Sequence, residues 1–304
     1  MPRPVAVLLL LICTMFWGFA FVAQKSAMDS MGALTFAASR YLLGGLLVLP
    51  FGLIEYRRNT AKAATPLTPR DWALLAVLSV VFFLGSWLQQ VGIAFTTITN
   101  SGFLTSLYVL FVPLIAFALV RSRPHPIIWI GAPLALVGIY YLNGGRLDGL
   151  NSGDMLVIGS SVLWGLHVFL LGSMAARIGM PVFISAVYFL AAGVLSLGFA
   201  FALETPTLDA LSAGWMEILY AGVFSTAIAF TLQAIGQQHV PPANAAIILS
   251  AESLFAAIGG AVIMGERLSL MGYAGAGMIF CAILMVEAVP AFVRRRHAAV
   301  MGTR

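Results

Sequence analysis

Residues 249–267 read LSAESLFAAIGGAVIMGER, an apolar helical stretch that carries one carboxylate, Glu252, near its start. Gly259 and Gly260 stand at its middle, and Gly265-Glu266-Arg267 closes it. A charge at the centre of a hydrocarbon layer costs ~2.5–3.5 kcal/mol on insertion scales, so such a group faces a cavity or a partner. What surrounds Glu252 decides how the chain is read.

Those surroundings are themselves apolar. The chain has 304 residues, 61% hydrophobic and 9% charged, with a mean hydropathy of +0.99. A soluble domain carries roughly 25% charged residues, so the composition is that of an integral membrane protein. Apolar segments near the ~20 residues a spanning helix needs fall at 5–24, 31–54, 72–94, 98–120, 126–143, 154–176, 181–203, 213–236, 242–264 and 268–292. They predict an all-α fold of ten transmembrane helices with short connections, the longest running from Glu55 to Arg70. Continuous apolar runs exclude a β-barrel, whose strands alternate. The run Val5–Ala23 is long for a signal peptide and reads as the first span.

Basic residues set the orientation. With the N-terminus in the cytoplasm, twelve lie inside, among them Arg3, Arg57, Arg58, Arg70, Arg177 and Arg294–Arg296. Only Lys25, Arg146 and Arg267 lie outside. Both termini are therefore expected in the cytoplasm, with the chain in the cell (inner) membrane. The net charge of +5 is scattered and points to no nucleic-acid partner. Cys13 and Cys281 sit in apolar segments and form no CxxC or disulfide pattern, so no metal site or cofactor is expected.

An internal repeat runs through the chain. Setting Val91-Gly92 on Ile235-Gly236, a shift of 144, also sets Asn100 on Asn244, Ser106 on Ser250, Tyr108 on Glu252, Trp129 on Tyr273 and Gly131 on Gly275. Trp17-Gly18 matches Trp164-Gly165 at a slightly different shift. The expected halves are residues 1–145 and 146–293, five helices each, followed by a basic tail, 294–304. Five is odd, so the second half enters the membrane inverted. Inverted repeats are a transporter architecture, because two similar halves can pack in two ways and open either side.

Leu249 to Ala257, then Met264-Gly-Glu-Arg-Leu268 and the Gly/Ala-rich last helix, resemble the EamA-type transporters of the drug/metabolite transporter superfamily. So do Met15-Phe-Trp17-Gly18 and Ser39-Arg40-Tyr41-Leu42-Leu43, and the resemblance spans about 5–292. The first-half counterpart of the Gly-Glu-Arg turn is eroded here to Val120-Arg121-Ser122-Arg123. The resemblance implies ten helices in two inverted repeats, a central cavity and export of small metabolites, commonly amino acids. The tryptophan placement is most like that of bacterial exporters of aromatic amino acids.

Polar and aromatic residues at membrane depth are the candidates for that work. Glu252 is an acid for the cavity or for a structural pair, and Arg40, midway along the second helix, is its nearest match in charge. Trp17 shares a face of helix 1 with Thr14, Phe21 and Gln24. Trp164 and His167 share a face of helix 6 with Ser160 and Ser161. Phe83 and Trp87 stack four apart on helix 3, and Tyr188 lies mid-span on helix 7. With Tyr108 and Glu252, these aromatics form the expected substrate cavity. Gln90, Asn100, Gln233 and Asn244 are amides for interhelical bonds or, at Asn100 and Asn244, for helix caps. Gly131, Gly138, Gly275 and Gly277 are small residues for close packing of helices 5 and 10. Gly85 and Pro113 are candidate hinges.

No Walker A motif appears, and helix 1 carries no carboxylate. The expected function is secondary transport that exports small metabolites, amino acids foremost and among them those with large apolar or aromatic side chains, by a chain that suffices as a monomer in the lipid bilayer. A nucleotide-sugar or drug carrier of the same superfamily is the alternative, although a nucleotide would ask for more cations than Arg40. An intramembrane enzyme would need a nucleophile or metal constellation, and a receptor an extramembrane domain. The sequence offers neither.

Overall fold

Apolar chain in hydrocarbon must satisfy every backbone amide internally, and helices do so within one segment. The computed structural model accordingly holds helices and no strand among the residues it describes, which are 1–61, 67–96, 98–121, 124–142, 144–145, 151–256, 258 and 269–301. In chain order the elements are α1 (Arg3–Ala27), α2 (Ala33–Ala61), α3 (Pro69–Phe95), α4 (Ile98–Thr105), α5 (Tyr108–Val120), α6 (Ile128–Leu142) and α7 (Ser152–Ile178). They continue with α8 (Pro181–Leu203), α9 (Leu208–Ala213), α10 (Trp215–Leu219), a π-helical stretch (Tyr220–Phe230), α11 (Thr231–Gln237), α12 (Pro242–Leu249) and α13 (Leu270–Met301). A further helical turn covers residues 252–256. Gly259, Gly260, Gly265-Glu266-Arg267 and the side chain of Asn100 lie outside the described residues.

Among the described residues seven helices are long and apolar enough to cross a membrane, and three shorter apolar helices, Ile128–Leu142, Pro242–Ala256 and Leu270–Val286, accompany them. Each of these falls on one of the ten apolar segments. Three interiors differ from the unbroken spans expected. The segment 98–120 divides at Ser106-Leu107 into α4 and α5, the segment 242–264 divides after Leu249, and 213–236 winds as a π-helix over Tyr220–Phe230. Proline is not the common cause of the two divisions. Pro113 lies inside α5, past its start, and residue 257, which stands 144 further on, is alanine.

Local sequence starts and stops these helices. Thr68 and Asp71 form a capping box at the start of α3, and Asn151 and Asp154 form another at the start of α7. Gly179, with φ +74°, ends α7 in the left-handed conformation that costs glycine nothing, and Pro181 opens α8 two residues later. Lys25 at the end of α1 donates to the carbonyls of Ile93 (2.8 Å), Ala94 (3.0 Å) and Thr96 (3.1 Å), closing the C-terminus of α3.

Helices α2 and α8 lie side by side and antiparallel, and each completes the other's start. At the end of α8, Glu204 accepts from the amides of Leu34 and Thr35 (2.8 Å each) and from the Thr35 hydroxyl (2.7 Å). At the end of α2, Glu55 accepts from the amide of Phe183 (2.8 Å). Between these ends a Cβ on Gly45 would stand 2.8 Å from Leu190 Cδ2, and one on Gly193 would stand 2.9 Å from Leu42 Cδ2. Both members of this exchange are related by one shift of 148 residues, which carries Leu42 to Leu190 and Gly45 to Gly193.

Two other helix pairs meet through glycine. A Cβ on Gly153 of α7 would stand 2.7 Å from the Gly92 carbonyl of α3. At the crossing of α6 and α13, a Cβ on Gly275 would stand 2.4 Å from the Gly138 carbonyl. Gly277 has open space beside it and takes no part in that packing.

Candidate functional site

The interior of the bundle holds a cavity of about 60 Å³. Its wall takes Trp17, Phe21 and Gln24 from α1, Arg40 from α2, Gln89 from α3, Thr105 from α4 and Tyr108 from α5. Across it stand Trp164, His167 and Val168 from α7, Ser225 and Phe230 from the π-helix, Gln233 from α11, Leu249 from α12 and Glu252. A water needs roughly 10–15 Å³ measured this way, so the space is that of a few waters.

Much of the wall is built twice. Gln89/Gln233, Thr105/Leu249 and Tyr108/Glu252 are pairs 144 residues apart, and Trp17/Trp164 and Phe21/Val168 are pairs 147 apart. The Trp-Gly dipeptides explain the last of these correspondences. A Cβ on Gly18 would stand 2.7 Å from Phe255 Cβ, and one on Gly165 would stand 2.9 Å from Phe111 Cβ. Phe111 and Phe255 are themselves 144 apart. Each glycine thus lets the second half of a divided helix approach, while the adjacent tryptophan turns to the cavity.

The polar groups break this duplication. Glu252 is 4% exposed and faces Tyr108 as its counterpart; its Oε1 has no protein partner. Arg40, 3% exposed, donates to the Tyr41 hydroxyl and to Ser86 Oγ (3.0 Å) and lies over the Phe36 and Tyr41 rings, at 5.2 and 4.5 Å. No ion pair joins it to Glu252 among the described residues; it ties α2 to α3 instead. His167 is fully buried inside a ring of Phe82, Trp164, Tyr188 and Phe230, with neither ring nitrogen partnered. Trp164 stacks on Phe230 (5.8 Å, 17°) with its indole N–H unpartnered, whereas Trp17 donates to the Ser225 carbonyl of the π-helix at 3.1 Å. Gln24 Oε1, Gln233 Oε1, Tyr108 Oη and Arg40 Nε also lack protein partners. Buried polar atoms are rarely left so, and here they converge on one enclosure.

Of the residues singled out in the sequence, Trp17, Arg40, Tyr108, Trp164, His167, Gln233 and Glu252 meet at this cavity. Phe83 and Trp87 do not; they stack with Phe199, 5.5 and 5.9 Å away, on the α3–α8 face, and Phe199 is exposed. Tyr188 is fully buried behind His167 and Phe82 and stays off the wall. Gln90 donates to the Gln24 carbonyl (2.8 Å), tying α3 to α1. Asn244 is no cap: α12 begins at Pro242, and the Asn244 amide donates to Val286 of α13 (3.2 Å). Gly85 and Pro113 lie inside α3 and α5, and the actual discontinuity falls at Ser106-Leu107. Thr105, Leu249, Val168, Ser225 and Phe230 were not foreseen. The repeat alignment could have found the first two as mates, but nothing in the local sequence announces the π-helix.

Residues 4–144 and 151–288 each match the EamA-like transporter family. An uncharacterized transporter of Archaeoglobus fulgidus is 30% identical over 278 residues, spanning 91% of this chain and 84% of the relative. The uncharacterized transporter YwfM of Bacillus subtilis is 29% identical over 97% of this chain and 98% of its own length. The uncharacterized inner membrane transporter YedA of Escherichia coli is 28% identical over 89% and 86%. A crystal structure with 18% identity shares the fold, with a TM-score of 0.77 over 97% of this chain and 99% of that one.

Proposed function

Because the chain belongs to the EamA-like transporter family, we propose that its cavity carries small zwitterionic metabolites, above all amino acids with large apolar or aromatic side chains, out of the cell. The observation that carries this reading is the chemistry of the unpartnered atoms. Donors (Arg40 Nε, Trp164 Nε1) and acceptors (Glu252 Oε1, Gln233 Oε1, Gln24 Oε1) share one enclosure walled by Trp17, Trp164 and Phe230. A carboxylate matches the donors and an ammonium matches the acceptors, while aromatic faces take an apolar side chain by stacking. Arg40 is the one fixed cation among the described residues that line the cavity, and it is engaged by Tyr41 and Ser86. A phosphate-bearing cargo would ask for more.

In this reading residues 1–145 and 146–293 are inverted halves of ten spans, both termini face the cytoplasm, and the chain works as a monomer in the inner membrane. The duplicated wall and the reciprocal contacts of α2 with α8 support two halves that can exchange packings.

The test is flux from proteoliposomes preloaded with radiolabelled amino acids, nucleosides or cationic dyes. Large apolar amino acids should leave fastest. Trp164→Ala should slow them by about tenfold, a loss of ~1.4 kcal/mol that matches one aromatic contact. Retention of every amino acid, with release of another class, would overturn the proposal.

A further inference from the structure

We propose that the junction of the two helix divisions is a cation site lined by oxygen, which holds a sodium ion and the ammonium of the transported molecule in turn; this rests on the transport reading above. The two divisions are the same structure made twice. Val109 N donates to Ser106 O, Leu110 N and Phe111 N to Leu107 O, Ser106 N to Gly102 O and Leu107 N to Leu104 O. Adding 144 to every number gives the bonds of the second division: Ser253 to Ser250, Leu254 and Phe255 to Ala251, Ser250 to Ala246 and Ala251 to Ile248. A whole local geometry has been kept through duplication, although the side chains differ.

The pattern has a chemical result. The amides of Val109 and Ser253 turn to the residue three back, rather than to Thr105 and Leu249 four back. Both residues line the cavity. The divisions also touch, through a hydrogen bond between Ser106 Oγ and Ser253 Oγ of 3.0 Å. Glu252 leads the second division, with one carboxylate oxygen buried and unpartnered and the hydroxyls of Ser106 and Tyr108 beside it. Main-chain carbonyls at the two turns, two serine hydroxyls and one carboxylate are hard oxygen ligands, suited to a hard cation and to no soft metal. Divided helices whose unwound carbonyls meet in the interior are how secondary transporters hold coupling ions.

Charge selects a monovalent ion. Glu252 is the one carboxylate among the described residues that line the cavity, and a divalent ion beside it would leave more buried net charge than a monovalent one, which is costly. Arg40, the other charged group on the wall, is turned to Tyr41 and Ser86. One carboxylate neutralises one cation at a time. Sodium entering can therefore displace the ammonium of a substrate leaving, which couples export to the inward sodium gradient.

The experiment is a sodium titration of the purified protein in nanodiscs, against choline at constant ionic strength, read by the fluorescence of the cavity tryptophans Trp17 and Trp164. A saturable signal is expected from the wild type, abolished in Glu252→Gln and competed away by excess amino acid. Ser106→Ala and Ser253→Ala should each weaken it at least about tenfold, since even outer partners of metal sites are worth that much. These two variants carry the test if Glu252→Gln does not fold. No sodium signal, or one that survives the substitutions, would overturn the site. Amino-acid flux without a sodium response sinks the site and spares the transport reading, whereas sodium binding without amino-acid flux does the reverse.

Discussion

Glu204→Ala offers the sharpest check on how the bundle is held together. It deletes three hydrogen bonds at once, to Leu34 N, Thr35 N and Thr35 Oγ1. They sit in the first turn of α2, where amides have no partner within the helix. Bonds to a charged group contribute ~1.5–3 kcal/mol each when fully buried, and a lost helix cap costs ~0.5–2 kcal/mol. Glu204 is half-buried at the end of its helix and water replaces part of what is lost, so roughly 2–4 kcal/mol is the expected total. At about 2 °C per kcal/mol for a chain of this size, melting in detergent should fall by roughly 4–8 °C. Glu55→Ala removes the bond to Phe183 N, beside a proline that already lacks an N–H, and should cost only about 1 kcal/mol. The two carboxylates occupy opposite ends of one helix pair, so the double variant should add within ~0.5 kcal/mol. Gly32 supplies an internal control. A Cβ there would stand 2.2 Å from the Glu204 carboxyl carbon, so Gly32→Ala should destabilise the wild type and do little in the Glu204→Ala background. The reasoning fails if Glu204→Ala melts with the wild type, or if Gly32→Ala costs as much without the carboxylate as with it.

Gly45→Ala and Gly193→Ala should each lower stability by about 1–3 kcal/mol through overpacking, measured by unfolding in SDS, because each new Cβ meets the facing leucine at under 3 Å. Leu190→Ala and Leu42→Ala respectively should relieve the strain in the double variants. A cysteine in place of Arg57 should react with impermeant reagents only from the cytoplasmic face, and labelling of intact cells would invert the proposed topology.

The apolar helices were legible because hydropathy is a segment-wide quantity, and an apolar run needs no neighbour to be recognised. The cavity was legible in part, through the paired Trp-Gly dipeptides. A helical face can be read from spacing, but which neighbour it meets cannot. Trp17 and Trp87 looked alike in the sequence, yet one fronts the cavity and the other stacks on Phe199 at the periphery. The divided helices left no mark either. Leu107 and Ala251 are good helix formers, so no breaking residue marks the turns there. Asn244 looked like a cap because it stands near a helix start, but Pro242 had already set that start two residues earlier.

The exchange of glutamates between α2 and α8 also imposes an order on biosynthesis. Leu34 and the carboxylate that completes it are 170 residues apart in the chain. At ~5–20 residues per second, the ribosome delivers Glu204 about 10–30 seconds after Leu34. Throughout that interval the first turn of α2 lacks the carboxylate that completes it, and other partners must serve its amides. The early half is therefore held as an unfinished piece until the late half is made, and a chain stopped before residue 204 should be the form that quality-control proteases find first.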